Sequence, residues 1–261
     1  MEFHLLGPVE IRVDGHHRSA GPPKQRAVLA ALLVDARTPV LVDTLIDRVW
    51  GDGPPAVVRN ALYSHVARIR HLLANARSIT GMRVGVERRS GGYVLDVDRD
   101  RIDLFRWRRL IEGGRDACRT TEERASDLRK ALALWHSAPL AGIDGAWADQ
   151  LRESLLQQRL AVLVTWSRLA IDLRQYEPVI EEVGSAVADN PLVEPLIALH
   201  MQALTLAGRG AEALNQYAVA RRRFADDLGT EPGPELRATH AAILRGEFHR
   251  VQTGRSAVPS A

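Results

Sequence analysis

Residues 56–75, AVVRNALYSHVARIRHLLAN, carry the pattern that decides the fold. Large apolar side chains recur in this stretch at intervals of three or four residues, and that spacing places them on one stripe of an α-helix. The stripe consists of Val58, Leu62, Val66, Ile69 and Leu73. Because such a stripe packs against a core, the pattern predicts an amphipathic helix from residue 56 to about residue 75.

The opposite face of this helix is polar at its centre and basic at its edges. Successive residues lie about 100° apart around a helix axis, and the positions that point directly away from the stripe are Asn60, Ser64, Ala67 and His71. Tyr63 and Arg70 lie on one flank of this face, and Arg68 lies on the other. A helix about 10 Å wide fits the major groove of DNA, which is about 12 Å wide. The small side chains at the centre favour a close approach to base edges.

Short strands open the chain. Residues 3–6 and 9–13 are apolar or alternating, and they end at Asp14-Gly15, a strong hairpin turn signal. We therefore expect a small antiparallel sheet, with His16 and His17 in the turn.

Two further helices are predicted before residue 56. The first begins near Pro23 and extends to Val34, since proline is favoured at a helix start. The second has Asp43 at its start and reaches Trp50, where the glycines and prolines of residues 51–55 end it.

A hairpin is predicted after the third helix. Residues 83–87 and 93–97 alternate like strands, and residues 88–92 join them, which places Arg88 and Arg89 near the tip. Three helices followed by such a hairpin are the parts of a winged helix, a relative of the helix-turn-helix. We therefore expect an α+β winged helix-turn-helix domain over residues 1–98.

Strand patterns disappear beyond residue 98. Helix-like segments follow at about 103–117, 121–136, 147–173, 176–188, 193–207, 210–228 and 234–246. A shift of 34 residues aligns Val179, Val183 and Ala186 with Ala213, Tyr217 and Ala220, as in tetratricopeptide-like helix pairs. We expect an all-α tetratricopeptide-like domain over residues 102–246 and a disordered tail over residues 247–261.

Charge is unevenly distributed along the chain. Residues 1–97 hold 13 basic and 9 acidic side chains, whereas residues 98–261 hold 22 basic and 23 acidic ones. The stretch from Arg59 to Arg89 contains seven arginines and a single acid, Glu87. A surface that is depleted of acids favours an anionic partner.

Composition excludes several classes of protein. The apolar runs are well short of the roughly 20 residues that cross a bilayer, and the first residues lack the pattern of a secretion signal. The single cysteine, Cys118, has no partner for an internal disulfide. We expect a cytoplasmic protein without membrane contact.

Enzymatic and metal-binding patterns are absent from the sequence. The phosphate-binding loop GxxxxGK[ST], the zinc motif HExxH and the nucleophile motif GxSxG do not occur. His16 and His17 lack cysteine or acidic partners at metal-ligand spacing. We expect no catalytic residue, no cofactor and no metal.

The basic residues of the first domain suggest separate roles on DNA. Arg68 and Asn60 are placed to read base edges, because arginine pairs with guanine and asparagine with adenine. Arg59, Arg70 and Lys24 are better placed for phosphates, which give affinity without sequence information. The hairpin arginines suit a narrow minor groove, and we expect Arg89 to be the one that inserts. Tyr63 either packs against a neighbouring loop or makes a minor contact.

Several motifs together resemble one known family, the Streptomyces antibiotic regulatory proteins. In the first domain they are LGPV (6–9), KQRA (24–27), LIDRVWG (45–51), RNAL (59–62), HVARIR (65–70) and GGY (91–93). In the second they are LWH (134–136), NPLVE (190–194), AGR (207–209) and DLGTEPGPEL (227–236). The family joins an OmpR-type winged helix to a bacterial transcriptional activation domain, and the resemblance runs from about Phe3 to Leu244.

This resemblance implies a transcriptional activator of an antibiotic biosynthesis gene cluster. It implies that the helix around Arg68 recognises direct repeats near a promoter, where a homodimer forms, that Arg89 meets the minor groove and that Trp50 lies beside the DNA backbone. It also implies that RNA polymerase, including its sigma factor, is contacted by the loop Gly51, Asp52, Gly53, Pro54, Pro55, Ala56 and Val57 and by the helical domain. We expect a small, two-domain form of the family.

An alternative interpretation is a tetratricopeptide-like scaffold whose first domain does not bind DNA. A solvated helix in an arginine-rich chain is an alternative explanation of the arginines of residues 59–70. The depletion of acids and the hairpin arginines favour DNA, because a solvated face requires neither.

Overall fold

The chain begins with a three-stranded antiparallel sheet in the computed structural model, which describes residues 1–248 except the side chains of residues 77, 79 and 80. Its strands are β1 (Glu2–His4), β2 (Glu10–Val13) and β3 (His16–Arg18), in that order across the sheet. Asp14 and Gly15, with φ values of 50° and 79°, form the tight turn between β2 and β3. The predicted sheet and turn are confirmed. The placement of His16 and His17 in the turn is wrong, because a two-residue turn leaves both free to pair with β2.

Three helices follow the sheet, as predicted. They are α1 (Pro23–Val34), α2 (Val42–Trp50) and α3 (Val58–Thr80). Helix α3 is longer than predicted, since the inward stripe continues to Ala76 and the helix ends only before Gly81, whose φ is 67°. The four later members of the stripe, Leu62, Val66, Ile69 and Leu73, are buried, and α3 packs against α1 and α2.

A second antiparallel sheet carries the predicted hairpin. Its strands are β4 (Val40–Leu41), β5 (Gly85–Arg89) and β6 (Gly92–Asp96), in the order β4-β6-β5. Ser90 and Gly91 alone form the turn, with φ values of 47° and 75°. Residues 88 and 89 therefore belong to β5, which corrects the predicted five-residue connection. We call the β5–β6 hairpin the wing.

Gly92 allows β4 to approach the wing. A Cβ atom at this position would lie 2.1 Å from the carbonyl oxygen of Val40, a distance that no side chain tolerates. Leu41, the partner of Gly92 across the ladder, begins the chain's turn into α2. The glycine thus ties the base of the wing to the start of that helix.

A buried carboxylate joins the first strand to the helix that follows the wing. After a short 3₁₀ turn (Arg99–Arg101), α4 (Asp103–Arg115) begins, and Asp103 is 1% exposed. Its oxygens accept hydrogen bonds from the backbone N–H groups of Leu5 at 2.8 and 2.9 Å, Leu6 at 3.0 Å and Leu104 at 2.7 Å. Burial raises the pKa of Asp103 to about 6, although these N–H groups act in the opposite direction.

Residues beyond α4 complete the same compact unit, which consists of residues 1–116 and 127–160. The backbone N–H of Leu140 donates to Leu5 at 3.0 Å, and that of Ala141 donates to Gly7 at 3.2 Å. The parts of α5 (Thr121–Ala133) and α6 (Ala146–Asp172) that lie within these ranges also belong to the unit. The edge of the unit therefore does not coincide with the predicted domain boundary near residue 98.

The second unit, residues 117–126 and 161–261, consists of helices joined by short turns in its described part. It contains α7 (Tyr176–Asp189), α8 (Glu194–Leu206), α9 (Gly210–Leu228) and α10 (Pro234–Leu244), and α8 packs against the other three. Residues 99–248 contain no strand, only isolated bridges at Ile102 and Ala141, and the predicted helix positions are confirmed within a few residues. Of the predicted tail, all but the first two residues lie outside the described residues.

Two motifs that carry the family resemblance meet in this second unit. The carboxylate of Glu194 accepts hydrogen bonds from the backbone N–H of Gly233 at 2.9 and 3.0 Å, at the start of α10. Arg221 donates to Glu231 at 2.8 and 2.9 Å in the same turn. Gly229, with φ of 66°, ends α9 as predicted. No helix within residues 1–248 combines the length and apolar character needed to cross a membrane.

We predict that Asp103 makes stability depend on pH. The pKa of Asp103 is about 6 in the folded protein, above the ordinary value of 3.8, so the folded state binds this proton more tightly than the unfolded state. Between pH 3.8 and pH 6, the carboxyl group is therefore mostly protonated in the folded protein and mostly ionised in the unfolded chain. The contribution is fully present below pH 4 and is lost as the pH rises through 6. Relative to Asp103→Asn, the wild-type protein should lose roughly 3 kcal/mol of unfolding free energy between pH 4 and 7. Urea denaturation at several pH values measures this difference, and a constant difference would contradict the prediction.

Candidate nucleic-acid interface

The outward face of α3 has the composition expected from its sequence. Asn60, Ser64, Ala67 and His71 are all exposed. Nδ2 of Asn75 lies 3.2 Å from Nε2 of His71, one turn along the helix. The face is therefore a solvent-facing ridge with small side chains at its centre.

Arg68 extends from one flank of this ridge. Its side chain is exposed and makes no ion pair or hydrogen bond with any residue of the described chain. Its charge reaches the neighbouring His65, where burial and the nearby guanidinium lower the pKa of the imidazole. The donors of Arg68 are consequently available to a partner.

Arg70 lies on the other flank and contacts the wing. Its Nε donates a hydrogen bond to the carbonyl oxygen of Val86 at 2.8 Å, and its guanidinium carbon lies 5.6 Å from the ring centre of Tyr93. Conversely, the guanidinium carbon of Arg88 lies 6.0 Å from the ring centre of Tyr63. Arg88 and Tyr93 are also paired across the β5–β6 ladder. Each element thus places an arginine over an aromatic ring of the other.

This arrangement adds a structural contact to two side chains for which DNA contacts are predicted. Arg70 links α3 to the wing, and the ring of Tyr63 lies beneath a wing arginine. Cation–π contacts of this kind contribute about 0.5–1 kcal/mol each at exposed sites. The helix and the wing are therefore joined by more than the chain that connects them.

Two further arginines of the interface are held by acids. NH2 of Arg59 lies 2.6 Å from Oδ1 of Asp43 on α2. At the end of β5, Nε and NH2 of Arg89 donate to Oε2 of Glu87 at 2.9 and 2.6 Å. All four side chains are at least half exposed. Neither pairing follows from the sequence spacing alone, although Glu87 is conspicuous as the single acid of its stretch.

Trp50 is the last residue of α2, and the side chain of Lys24 reaches this end of the helix from the start of α1. Nζ of Lys24 donates to the carbonyl oxygen of Val49 at 2.6 Å, which satisfies one of the unpaired carbonyl groups at the helix end. Trp50 is half-buried, with its ring centre 6.1 Å from that of His65 on α3. Nδ1 of His65 is buried and has no hydrogen-bond partner within residues 1–248. The two predicted contacts are thus adjacent to the start of the loop that follows.

The loop of residues 51–57 is exposed at every position. Gly51 ends α2 with φ of 55°, and Val57 is 65% exposed immediately before α3. Val57 is thus a single large apolar side chain exposed in a loop of otherwise small or polar residues.

The site offers positive charge and an exposed helical face. Within residues 1–248, no three histidine, cysteine, aspartate or glutamate side chains are grouped so as to hold a metal ion. The exposed ridge of α3 and the wing beside it carry the positively charged, exposed side chains of Arg68, Arg88 and Arg89. Such an arrangement is able to bind a polyanion of helical shape.

Two family descriptions together match most of the chain. Residues 17–95 match the transcriptional regulatory protein, C terminal, family. Residues 102–244 match the bacterial transcriptional activator domain family.

Individual proteins are similar over almost the whole chain. Regulatory protein AfsR of Streptomyces coelicolor is 37% identical over 252 residues, which cover 95% of this chain but only 24%, about a quarter, of AfsR. Regulatory protein DnrI of Streptomyces peucetius is 31% identical over 255 residues, which cover 95% of this chain and 93% of DnrI. The solved structure of Mycobacterium tuberculosis EmbR in complex with a low affinity phosphopeptide is 29% identical with a TM-score of 0.81, and the match covers 97% of this chain and 69% of EmbR.

The contacts of Arg70 predict a loss of stability on substitution. Arg70→Lys keeps the charge but removes the Nε donor to Val86 and the planar group over Tyr93. We expect a loss of about 1–2 kcal/mol in unfolding free energy, together with faster amide hydrogen exchange in β5 and β6.

Arg68→Lys is the matched control, since Arg68 has no such contacts and the same substitution there should change neither quantity. Urea denaturation and hydrogen exchange of the three proteins test the prediction. Equal stability of both variants would show that Arg70 does not hold the wing.

Proposed function

The chain belongs to the Streptomyces antibiotic regulatory proteins, a family of transcriptional regulators, and we propose that it binds direct repeats near promoters and recruits RNA polymerase. Its targets on this proposal are promoters of a secondary-metabolite biosynthesis cluster in the bacterial cytoplasm. Two copies bind side by side, one on each repeat. The chain spans only about a quarter of AfsR (24%), so the activities of the whole AfsR protein are not transferred to it. The activities named here are proposals for this chain.

The exposed ridge of α3 is the observation that supports DNA binding. It presents Asn60, Ser64, Ala67 and Arg68 to solvent on one face. A bidentate contact from an arginine to guanine, or from an asparagine to adenine, contributes about 1–3 kcal/mol of discrimination. Arg68 and Asn60 therefore read bases on this proposal, while the smaller side chains let the helix backbone approach.

The wing supplies the second contact. Arg89 stands at the end of β5 beside the two-residue turn and inserts into the minor groove next to the recognised bases. Phosphate contacts come from Lys24, Arg59, Arg70 and Arg88, and Trp50 lies against the backbone. Helix and wing act on the duplex together because the arginine–tyrosine contacts join them.

Polymerase contact is assigned to the loop of residues 51–57 and to the helical second unit. The exposed side chain of Val57 supports this assignment, since an apolar group in water gains stability when a partner covers it. A tetratricopeptide-like scaffold without DNA binding is the competing interpretation, and duplex DNA separates the two.

We predict that Arg68→Ala removes sequence preference. The duplex used is one that the wild-type protein selects from a random pool. For Arg68→Ala, the preference for this duplex over its single-base variants at the contacted position should be about 10- to 100-fold smaller than for the wild-type protein, because one bidentate contact is lost. For the wild-type protein, log affinity should fall with log salt at a slope of about −0.9 per phosphate contact.

Arg222→Ala is the matched control, because it removes the same charge from an exposed position on α9. This variant should keep the sequence preference. Absence of any retardation of duplex DNA by the wild-type protein at low salt would favour the scaffold.

A second prediction separates DNA binding from activation. Val57→Ser should leave duplex affinity unchanged within about two-fold but lower run-off transcription several-fold, because it removes the exposed apolar group of the loop. Leu41→Ser, at a 54% exposed leucine of β4 that lies outside this loop and outside the second unit, is the control for a general loss of surface apolarity. Full transcription by the Val57 variant would contradict the role of this side chain.

A further inference from the structure

The single acid within the stretch from Arg59 to Arg89 is bonded to the arginine that the proposed function places in the minor groove. Glu87 and Arg89 are two residues apart on β5, so their side chains leave the same face of the strand. Both donors, Nε and NH2, reach one oxygen, Oε2, at 2.9 and 2.6 Å. The fork of the guanidinium is therefore turned along the strand toward Glu87.

The alternation of β5 separates this pair from the contacts that hold the wing. Arg88 leaves the opposite face and lies over Tyr63 of α3, on the same side as the buried Val86. Glu87 and Arg89 face solvent, with side chains 50% and 63% exposed. The pair consequently contributes little to the attachment of the wing, and breaking it leaves the hairpin in place.

The geometry points to Glu87 as an internal competitor of DNA for Arg89. The carboxylate offers the guanidinium an anion in the absence of DNA, and the negative potential of a narrow minor groove replaces it on binding. The exchange is feasible because an exposed ion pair shifts an equilibrium by no more than about five-fold. This inference rests on the proposed function and assigns Glu87 the role of setting the affinity of the wing.

The competition has a defined consequence for binding. Every complex in which Arg89 enters the groove must first break its contact with Glu87, so the wild-type protein binds such duplexes more weakly than a protein without this acid. Arg68 does not have to break such a contact before it binds DNA, because it has no ion pair within the described residues. The competition from Glu87 therefore acts on the wing and not on Arg68.

A double-mutant cycle tests the exchange. Dissociation constants are measured at one low salt concentration for the wild-type protein, Glu87→Gln, Arg89→Ala and the double variant, on the duplex that the wild-type protein selects from a random pool. We expect Glu87→Gln to tighten binding two- to five-fold when Arg89 is present. In the Arg89→Ala background, the same substitution should change affinity no more than the control does.

Asp100→Asn is the matched control. It also removes one exposed acid from the first unit, and Asp100 is ion-paired to Arg109 beyond the end of β6 opposite the wing turn. The gain from this variant measures the effect of net charge alone. Thermal unfolding of all variants verifies that each protein is folded.

The outcomes distinguish the inference from the function on which it rests. Equal tightening by Glu87→Gln in both backgrounds, or none in either, overturns the exchange while DNA binding stands. Failure of the wild-type protein to retard any duplex overturns the proposed function and the exchange together.

Discussion

One buried carboxylate holds the first unit together. Asp103 accepts hydrogen bonds from the backbone of Leu5 and Leu6, which directly follow β1, and from the start of α4, so the two ends of the winged-helix stretch are fixed to one side chain. A buried carboxylate is tolerated only when its oxygens are satisfied. The backbone donors of residues 140 and 141 to the same opening segment extend this core beyond α4. The winged-helix region therefore shares its packed core with residues that belong to the bacterial transcriptional activator domain match.

Much of the fold could be predicted from residue spacing. The stripe of α3, the proline at the start of α1 and the Gly229 stop of α9 are local signals, and each appears in the structure where the spacing predicts it. The missed strands, β3 and β4, are short and lack alternation, and they exist because a partner strand offers hydrogen bonds. The role of Asp103 has no local signal in the sequence, since Leu6 and Leu5, which donate to it, lie 97 and 98 residues away along the chain.

The candidate interface could be predicted as a set of positions but not as a set of contacts. Helical periodicity assigns Asn60, Ser64 and Ala67 to an outward face without knowledge of the neighbours. It does not reveal that Arg70 donates to Val86 or that Asp43 holds Arg59, because these contacts depend on how the wing and α2 approach α3. Glu87 is the exception. Its position as the single acid among arginines is visible in the sequence. Its ion pair with Arg89 is not, because the pair depends on the two-residue turn that keeps both residues on β5.

The scarcity of lysine has a consequence for chemistry on this protein. Lys24 and Lys130 are the two lysines of the chain, and Nζ of Lys24 is already occupied by the carbonyl oxygen of Val49. Reagents that acylate amines would therefore leave the arginines unmodified, and with them nearly all of the positive surface charge. For the same reason, an amine-directed dye or cross-linker would mark very few places, and none of them on the outward ridge of α3.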